Sequence, residues 1–277
     1  MSLPFRIEAR LANTPAEIDA AQRLRYSVFH EEWGATASDQ QRASRRDADA
    51  HDARMDHLIV IDHARPPCEG QVVGTYRLRR RDANESASAD GYTSAEFDVS
   101  PLVSTGERTL ELGRSCVLRE YRGRAVLNLL WGAIAAYVAD HGIGLMFGCA
   151  SLRGTDPMKL REQLAYLHHF HLAPRHIRPR AIGADSTRMD LLEKAWIDPR
   201  RAFSKLEPLV KGYLRLGASV GEGACIDRAF NSVDICIVMP TAQLTRRYVN
   251  HYERALKRPL CRLDDVATPE AAIAGSA

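Results

Sequence analysis

Glu111 and Arg114 stand three residues apart in the run TLELGRSCV (residues 109–117), whose other members favour a buried strand. A carboxylate in that setting can act as a general base, and a guanidinium can grip an anion through paired hydrogen bonds. Side chains alternate along a flat strand, so residues 111 and 114 would face opposite ways. A β-bulge at Gly113 would insert one residue and bring both to one face. The same spacing fits a structural ion pair in the core, and spacing alone leaves both readings open. Arg122, Gly123 and Arg124 follow, just ahead of the apolar stretch LNLLWGAIAAYV. A helix start offers free N–H groups and partial positive charge, glycine lets an anion approach the backbone, and arginines add charge-assisted hydrogen bonds. These three residues are therefore expected to cradle a phosphate. The Gly-Lys-Ser/Thr of a Walker loop and the dinucleotide fingerprint are both missing.

Other candidates are weaker. The segment RRDADAHDARMDH carries Asp47, Asp49, Asp52 and Asp56. It has no central glycine and no glutamate at the twelfth place, so it is not a calcium loop. It reads either as a surface for a cationic substrate or as a solvated acidic loop. His168, His169 and His171 lack the separation and the carboxylate or cysteine partner of a zinc site, and no metal is expected. No Gly-x-Ser-x-Gly occurs, and Cys149 has no adjacent base in the sequence. Direct transfer is favoured over an acyl-enzyme.

These residues need elements to position them. Residues 5–11 alternate as a strand, and Thr14-Pro15-Ala16-Glu17 forms a capping box opening a helix to about Trp33, ended by Gly34. Residues 35–54 read as a polar loop. MDHLIVID and GQVVGTYRLRR form an antiparallel hairpin split by Pro66 and Pro67, followed by a polar loop over 82–95. A buried helix over 124–140 ends at Gly142, and a strand begins in HGIGLMFGCASL. Further helices are expected over 157–170, 186–196, 207–216 and 241–256, with a strand at VDICIVMP. This order predicts an α/β (α+β) domain around a mixed sheet.

Bulk properties narrow the class. A chain of 277 residues can bury a large core. The net charge of +3 does not call for nucleic acid, yet arginines cluster at 77–81, 119–124, 175–180 and 200–201. Such clusters suit an acidic partner or an anionic membrane surface. No 18-residue apolar run predicts a membrane span, and MSLPFRIEAR lacks a secretory core. Six cysteines without a CxxC pair are expected as free thiols in a reducing cytoplasm.

Longer blocks carry a resemblance. RYSVFHEEWGA, DADAHDARMDHLIV, VGTYRL, LELGRSCVLREYR, FGCASLRGTDP and PLVKGYLRLGASVGEGACIDRAFNSVDICIVMP occur in this order. Over roughly residues 20–252 the chain resembles the bacterial ornithine Nα-acyltransferases of ornithine-lipid synthesis. More distantly, Arg25-x-x-Val28-Phe29, Trp33, Asp49-x-x-Asp52, Arg77 and Glu111-x-x-Arg114 resemble acyl-homoserine lactone synthases, which more often carry Glu where this chain has Asp47.

The resemblance implies a GNAT-type fold: a mixed, splayed central sheet flanked by helices, with a C-terminal extension. Its expected divisions are a core over 1–183, an extension packed on it over 184–257 and a flexible tail over 258–277. It implies transfer of a (3-hydroxy)acyl group from acyl carrier protein to the α-amine of L-ornithine, giving lyso-ornithine lipid. Glu111 and Arg114 would then be catalytic. Arg25, Asp49, Asp52 and Arg77 would bind the substrate, the aspartates taking its side-chain ammonium. Arg122, Gly123 and Arg124 would hold the carrier's phosphopantetheine, with no resident cofactor. The enzyme would be cytoplasmic, with peripheral contact at the inner membrane. The alternatives are an acyl-homoserine lactone synthase, another amino-acid N-acyltransferase, or a non-catalytic module binding an acyl carrier or membrane.

Overall fold

The computed structural model describes residues 6–66, 70–82 and 91–244. Its elements, in chain order, are β1 (Ile7–Leu11), α1 (Pro15–Tyr26), a π-helical continuation (Ser27–Glu32), α2 (Asp39–Ser44), β2 (Asp56–Asp62), β3 (Val72–Arg81), β4 (Phe97–Asp98), α3 (Ser100–Val103), β5 (Thr109–Val117), α4 (Arg124–His141), β6 (Leu145–Arg153) and α5 (Arg161–His171). Then come β7 (Arg180–Ala181), β8 (Ser186–Thr187), α6 (Pro199–Lys205), α7 (Pro208–Leu216), β9 (Ser219–Val220), β10 (Ala224–Asp227) and β11 (Ser232–Pro240).

One large mixed sheet runs β1-β2-β3-β5-β6-β11-β10-β8, with β9 added to β11. Helices cover both faces, which is why β2 and β11 are buried almost throughout rather than alternating. On one face, Ala21, Leu24, Val28 and Phe29 of the first helix pack on Ile59, Ile61, Val72 and Cys116. On the other, Val126, Leu130 and Ile134 of α4 meet Leu58, Val60, Leu110 and Leu112. The starts and stops follow local chemistry. The Thr14 hydroxyl accepts the Glu17 amide at 3.2 Å, and α4 ends where Gly142 turns left-handed at φ 59°.

The expected splay is present, and its geometry is specific. Strands β5 and β6 are the parallel pair, and they pair only from Thr109/Leu145 to Glu111/Phe147. Beyond Glu111 the two strands stop pairing. A close approach sits at this split: a Cβ on Gly148 would lie 2.1 Å from the Leu112 carbonyl oxygen. A small apolar cleft of about 10 Å³ lies there, lined by Leu112, Phe147, Gly148, Tyr213 and Met239 among others.

Several local readings are corrected. Ser38 and Gln41 build a reciprocal capping box, so a short helix interrupts the expected 35–54 loop. The helix expected from Pro157 begins at Arg161, because Asp156 to Leu160 is spent on turns. Ser186 and Thr187 pair with β10 instead of opening a helix. Within the extension expected over 184–257, β11 runs beside β6 for nine paired residues and so contributes a strand to the main sheet. Cys68, most of the 82–95 loop, the continuation of a helix over 245–256 and the tail lie outside the described residues. No helix among the described residues is long and apolar enough to cross a membrane.

Gly148→Ala must force the two strands apart at the split. It is expected to lower stability by about 1–3 kcal/mol, read as a fall in thermal melting temperature. An unchanged melting temperature would show that the approach is looser than described.

Candidate functional site

The bulge is real, but its strained residue is the arginine. Opposite partners in an antiparallel pair point to the same face, and Arg77 opposes Gly113 while Thr75 opposes Cys116. Two steps on β3 thus match three on β5, with Arg114 and Ser115 lying across from Tyr76. Arg114 takes the left-handed conformation at φ 50°, at a cost of roughly 1–2 kcal/mol for a residue with a side chain. Gly113 does not adopt it. The side chain of Arg114 explains why this is tolerated. Its guanidinium lies between the Tyr92 and Phe230 rings, 4.7 and 4.3 Å from their centroids. Its Nε reaches Asp47 at 3.1 Å and its Nη2 reaches Asp49 at 3.5 Å.

Glu111 faces the same side. It is 5% exposed, and its Oε1 accepts the Thr93 backbone N–H at 2.6 Å. Gly91 lets this loop close over the carboxylate, since a Cβ there would lie 2.9 Å from Oε2. Among the described residues no hydrogen bond is made to Oε2. The catalytic candidates are therefore brought together at the point where the sheet divides.

The four residues expected to bind substrate form something else. Arg25 and Arg77 are 0% and 1% exposed, so neither can meet a ligand in this structure. Arg25 binds Asp47 at 3.0 Å and Asp52 at 2.8 Å, and Arg77 binds Asp49 at 2.6 Å and Asp52 at 3.1 Å. With Arg114, three guanidiniums balance three carboxylates. Asp49 and Asp52 are engaged by these arginines; Asp52 is nearly buried, while Asp49 keeps about a quarter of its side chain exposed. Asp47, singled out as acidic but not as a site residue, is the hub: His30, Arg25 and Arg114 all converge on it. Burial would raise its pKa, but the His30 hydrogen bond and the charges of Arg114, Arg25 and Arg77 outweigh that and hold it well below 3.8. Asp52 is likewise lowered, its desolvation overcome by Arg25 and Arg77.

At the expected phosphate cradle the parts differ. Arg122 is turned back, forming a bidentate pair with Glu32 at 2.5 and 2.6 Å and donating to the Val117 carbonyl at 2.9 Å. Gly123 caps α4 in an extended conformation with no side-chain cap, which leaves the first helical N–H groups without a side-chain acceptor. A Cβ at Gly123 would meet nothing within 4 Å. The Arg124 side chain lies outside the described part of the structure.

Beside Glu111 lies a group that the sequence reading did not single out as a unit. Glu96, Cys149 and Asp234 converge, with ligand atoms within 4.8 Å of one another. The pairing register places them: Phe147 adjoins Glu111, Cys149 is two residues on, and Cys149 and Cys236 are partners with Asp234 two residues back. Burial pushes both carboxyl groups up, with the charges of Asp234 and Asp227 adding to the effect on Glu96 and that of Asp227 to the effect on Asp234. No lysine or arginine among the described residues pairs with either.

A family model described as an acetyltransferase (GNAT) domain matches residues 24–132. The chain is 44% identical over 255 residues to the L-ornithine N(alpha)-acyltransferase of Rhodobacter capsulatus, covering 92% of this chain and 97% of that protein. It is also 44% identical over 255 residues to the protein of the same name from Rhizobium meliloti, covering 89% and 84%. Among solved structures, the CoA-dependent acyl-homoserine lactone synthase BjaI superposes with a TM-score of 0.50 at 14% identity, covering 92% of this chain and 90% of that one. At that identity the likeness bears on the fold.

Asp47 and Asp52 have folded pKa values below their ordinary 3.8. Their stabilisation is complete above that value and is lost as pH falls below it. Asp47→Asn leaves buried guanidiniums without a counter-charge and is expected to cost about 3–5 kcal/mol. Stability of the variant should also fall less steeply between pH 5 and 3 than wild type. Urea melts across that range check both, and a variant parallel to wild type would refute the hub role.

Proposed function

The chain belongs to the L-ornithine N(alpha)-acyltransferases, and on that premise we propose that it moves a 3-hydroxyacyl group from acyl carrier protein to the α-amine of L-ornithine, giving lyso-ornithine lipid. The observation that best supports this reading is the position of Glu111 at the last paired residue before β5 and β6 part. An extended thioester tether can enter such a split and meet unpaired backbone, with a carboxylate at its inner end.

The chemistry asks little of the base. A free α-amine titrates near ~7.7–8.0, so about a tenth or more is neutral at pH 7. Positioning the amine and removing its proton as the bond forms are the real needs, and Glu111 Oε2 serves directly or through one water. The Thr93 amide holds the other oxygen and fixes the carboxylate's orientation. Negative charge on the thioester oxygen would be met by a backbone N–H at the parted strands, worth about 3 kcal/mol per donor. The amine attacks the thioester carbonyl, the C–S bond breaks and the carrier leaves as its thiol, so no acyl-enzyme is needed.

The open N-terminus of α4 suits the phosphopantetheine phosphate, with its backbone rather than Arg122 as the main grip. Exposed Arg80 and Arg119 suit docking of an acidic carrier. The apolar cleft at Leu112 and Met239 is a start for the acyl chain. Met146, Phe147 and Gly148 of β6 line this cleft. An amphiphilic product favours peripheral contact with the inner membrane.

Purified protein, a 3-hydroxyacyl carrier protein and a mixture of amino acids, followed by mass spectrometry, tests the reading. Ornithine should become acylated on its α-nitrogen. Consumption of S-adenosylmethionine with lactone release, or acylation of glycine in preference to ornithine, would overturn it. Glu111→Gln is expected to lower kcat roughly 10²–10⁴-fold while the KM for the carrier protein changes little. A full-rate variant would remove Glu111 from the mechanism.

A further inference from the structure

We propose that Glu96, Asp234 and the Thr93 hydroxyl form the receptor for a second, side-chain ammonium of the amino-acid acceptor. This rests on the acyl-transfer reading above and adds what selects the acceptor. The aspartates of the 47–52 segment are balanced by Arg25, Arg77 and Arg114. Among the described residues neither Glu96 nor Asp234 forms an ion pair, and Arg114 acts on them only at longer range. Asp234 is 2% exposed and bonded only through polar groups such as Ser232, with Asp227 adding further negative charge nearby.

A second observation points to a ligand. Thr93 is 1% exposed, and among the described residues its hydroxyl meets only the weakly accepting Cys149 sulfur, with no oxygen or nitrogen partner. It lies beside the Cys149 thiol, which donates to Glu96 Oε2 at 3.5 Å. A hydroxyl oxygen and two carboxylates are three acceptors, matching the three N–H donors of a primary ammonium. Glu96 and Cys149 keep partial exposure, so the group is not sealed.

The placement fits the reaction. Thr93 touches both groups: its amide holds Glu111 and its side chain faces the acidic cluster. Along β6 the cluster is two residues, on the order of 6–7 Å, beyond the point beside Glu111. Five bonds separate the two amines of ornithine, a chain that can span this gap with its α-amine at Glu111 and its terminal amine at Glu96. An ammonium in the receptor favours the ionised form of both carboxyl groups, which burial disfavours while the site is empty, whereas an acceptor lacking the second amine leaves them facing apolar carbon.

The test compares ornithine with norvaline, which has the same carbon chain without the terminal amine. In the full-length protein the wild-type ratio of kcat/KM for ornithine over norvaline should be large. Glu96→Gln and Asp234→Asn should each lower that ratio roughly 10- to 100-fold, the range for losing a charge-assisted hydrogen bond. Calorimetric titration of each amino acid into the same proteins gives the change in Kd independently of turnover, and covers a variant that folds but turns over slowly. A ratio within twofold of wild type in both variants overturns the assignment while leaving acyl transfer to ornithine intact. So does stoichiometric metal in wild-type protein that both variants lose. Wild-type protein that ignores ornithine would overturn the acyl-transfer reading first, and this assignment with it.

Discussion

Asp47, Asp49 and Asp52 have to be matched by Arg25, Arg77 and Arg114 at short range, because most of the six charges have almost no access to water. An unpaired charge in that place would cost several kcal/mol, so the network specifies where its members stand more than it adds net stability. Each arginine comes from a different element: α1, β3 and β5. The aspartates come from the turn between α2 and β2. Satisfying them together fixes α1 against the sheet and fixes the left-handed residue at the bulge of β5. That bulge in turn sets Arg114 on the same face as Glu111.

The sheet supplies the other half. Pairing between β5 and β6 ends at Glu111, and Gly148 allows the strands to touch just beyond before they part. The split gives an extended ligand unpaired backbone, and the network keeps the wall of that split from relaxing. Two carboxylate environments result within a few residues of each other. One is saturated with arginine and built for rigidity. The other, around Glu96 and Asp234, has no arginine or lysine ion pair among the described residues, and burial there favours the neutral carboxyl.

Much of this could be read from the residues. Strand and helix order, the capped start of α1 and the glycine stop of α4 follow from local periodicity and turn chemistry. So did the idea that a bulge would unite Glu111 and Arg114. The location of the strain could not be read, because glycine is the usual left-handed residue and only tertiary partners make Arg114 tolerable there. Arg25 and Arg77 looked like ligand contacts for a similar reason: an arginine three residues before Val28 or in mid-strand has no visible counter-ion until the 47–52 turn folds over it. The Glu96 group draws on segments well over a hundred residues apart, through strand register, and no spacing rule reaches that far. The extension expected over 184–257 contributes β11 to the main sheet, a pairing with β6 across some eighty residues that local pattern does not reveal.

The most direct measurement is steady-state kinetics of Arg114→Lys. Lysine keeps the charge but loses the planar fork that bridges Asp47 and Asp49 and stacks between two rings. The account predicts a folded protein whose kcat falls roughly 100-fold or more, as expected when a reacting group is misplaced by about an ångström, with carrier-protein KM little changed. Turnover near the wild-type rate would contradict it, since the geometry of this arginine would then not be what positions the site.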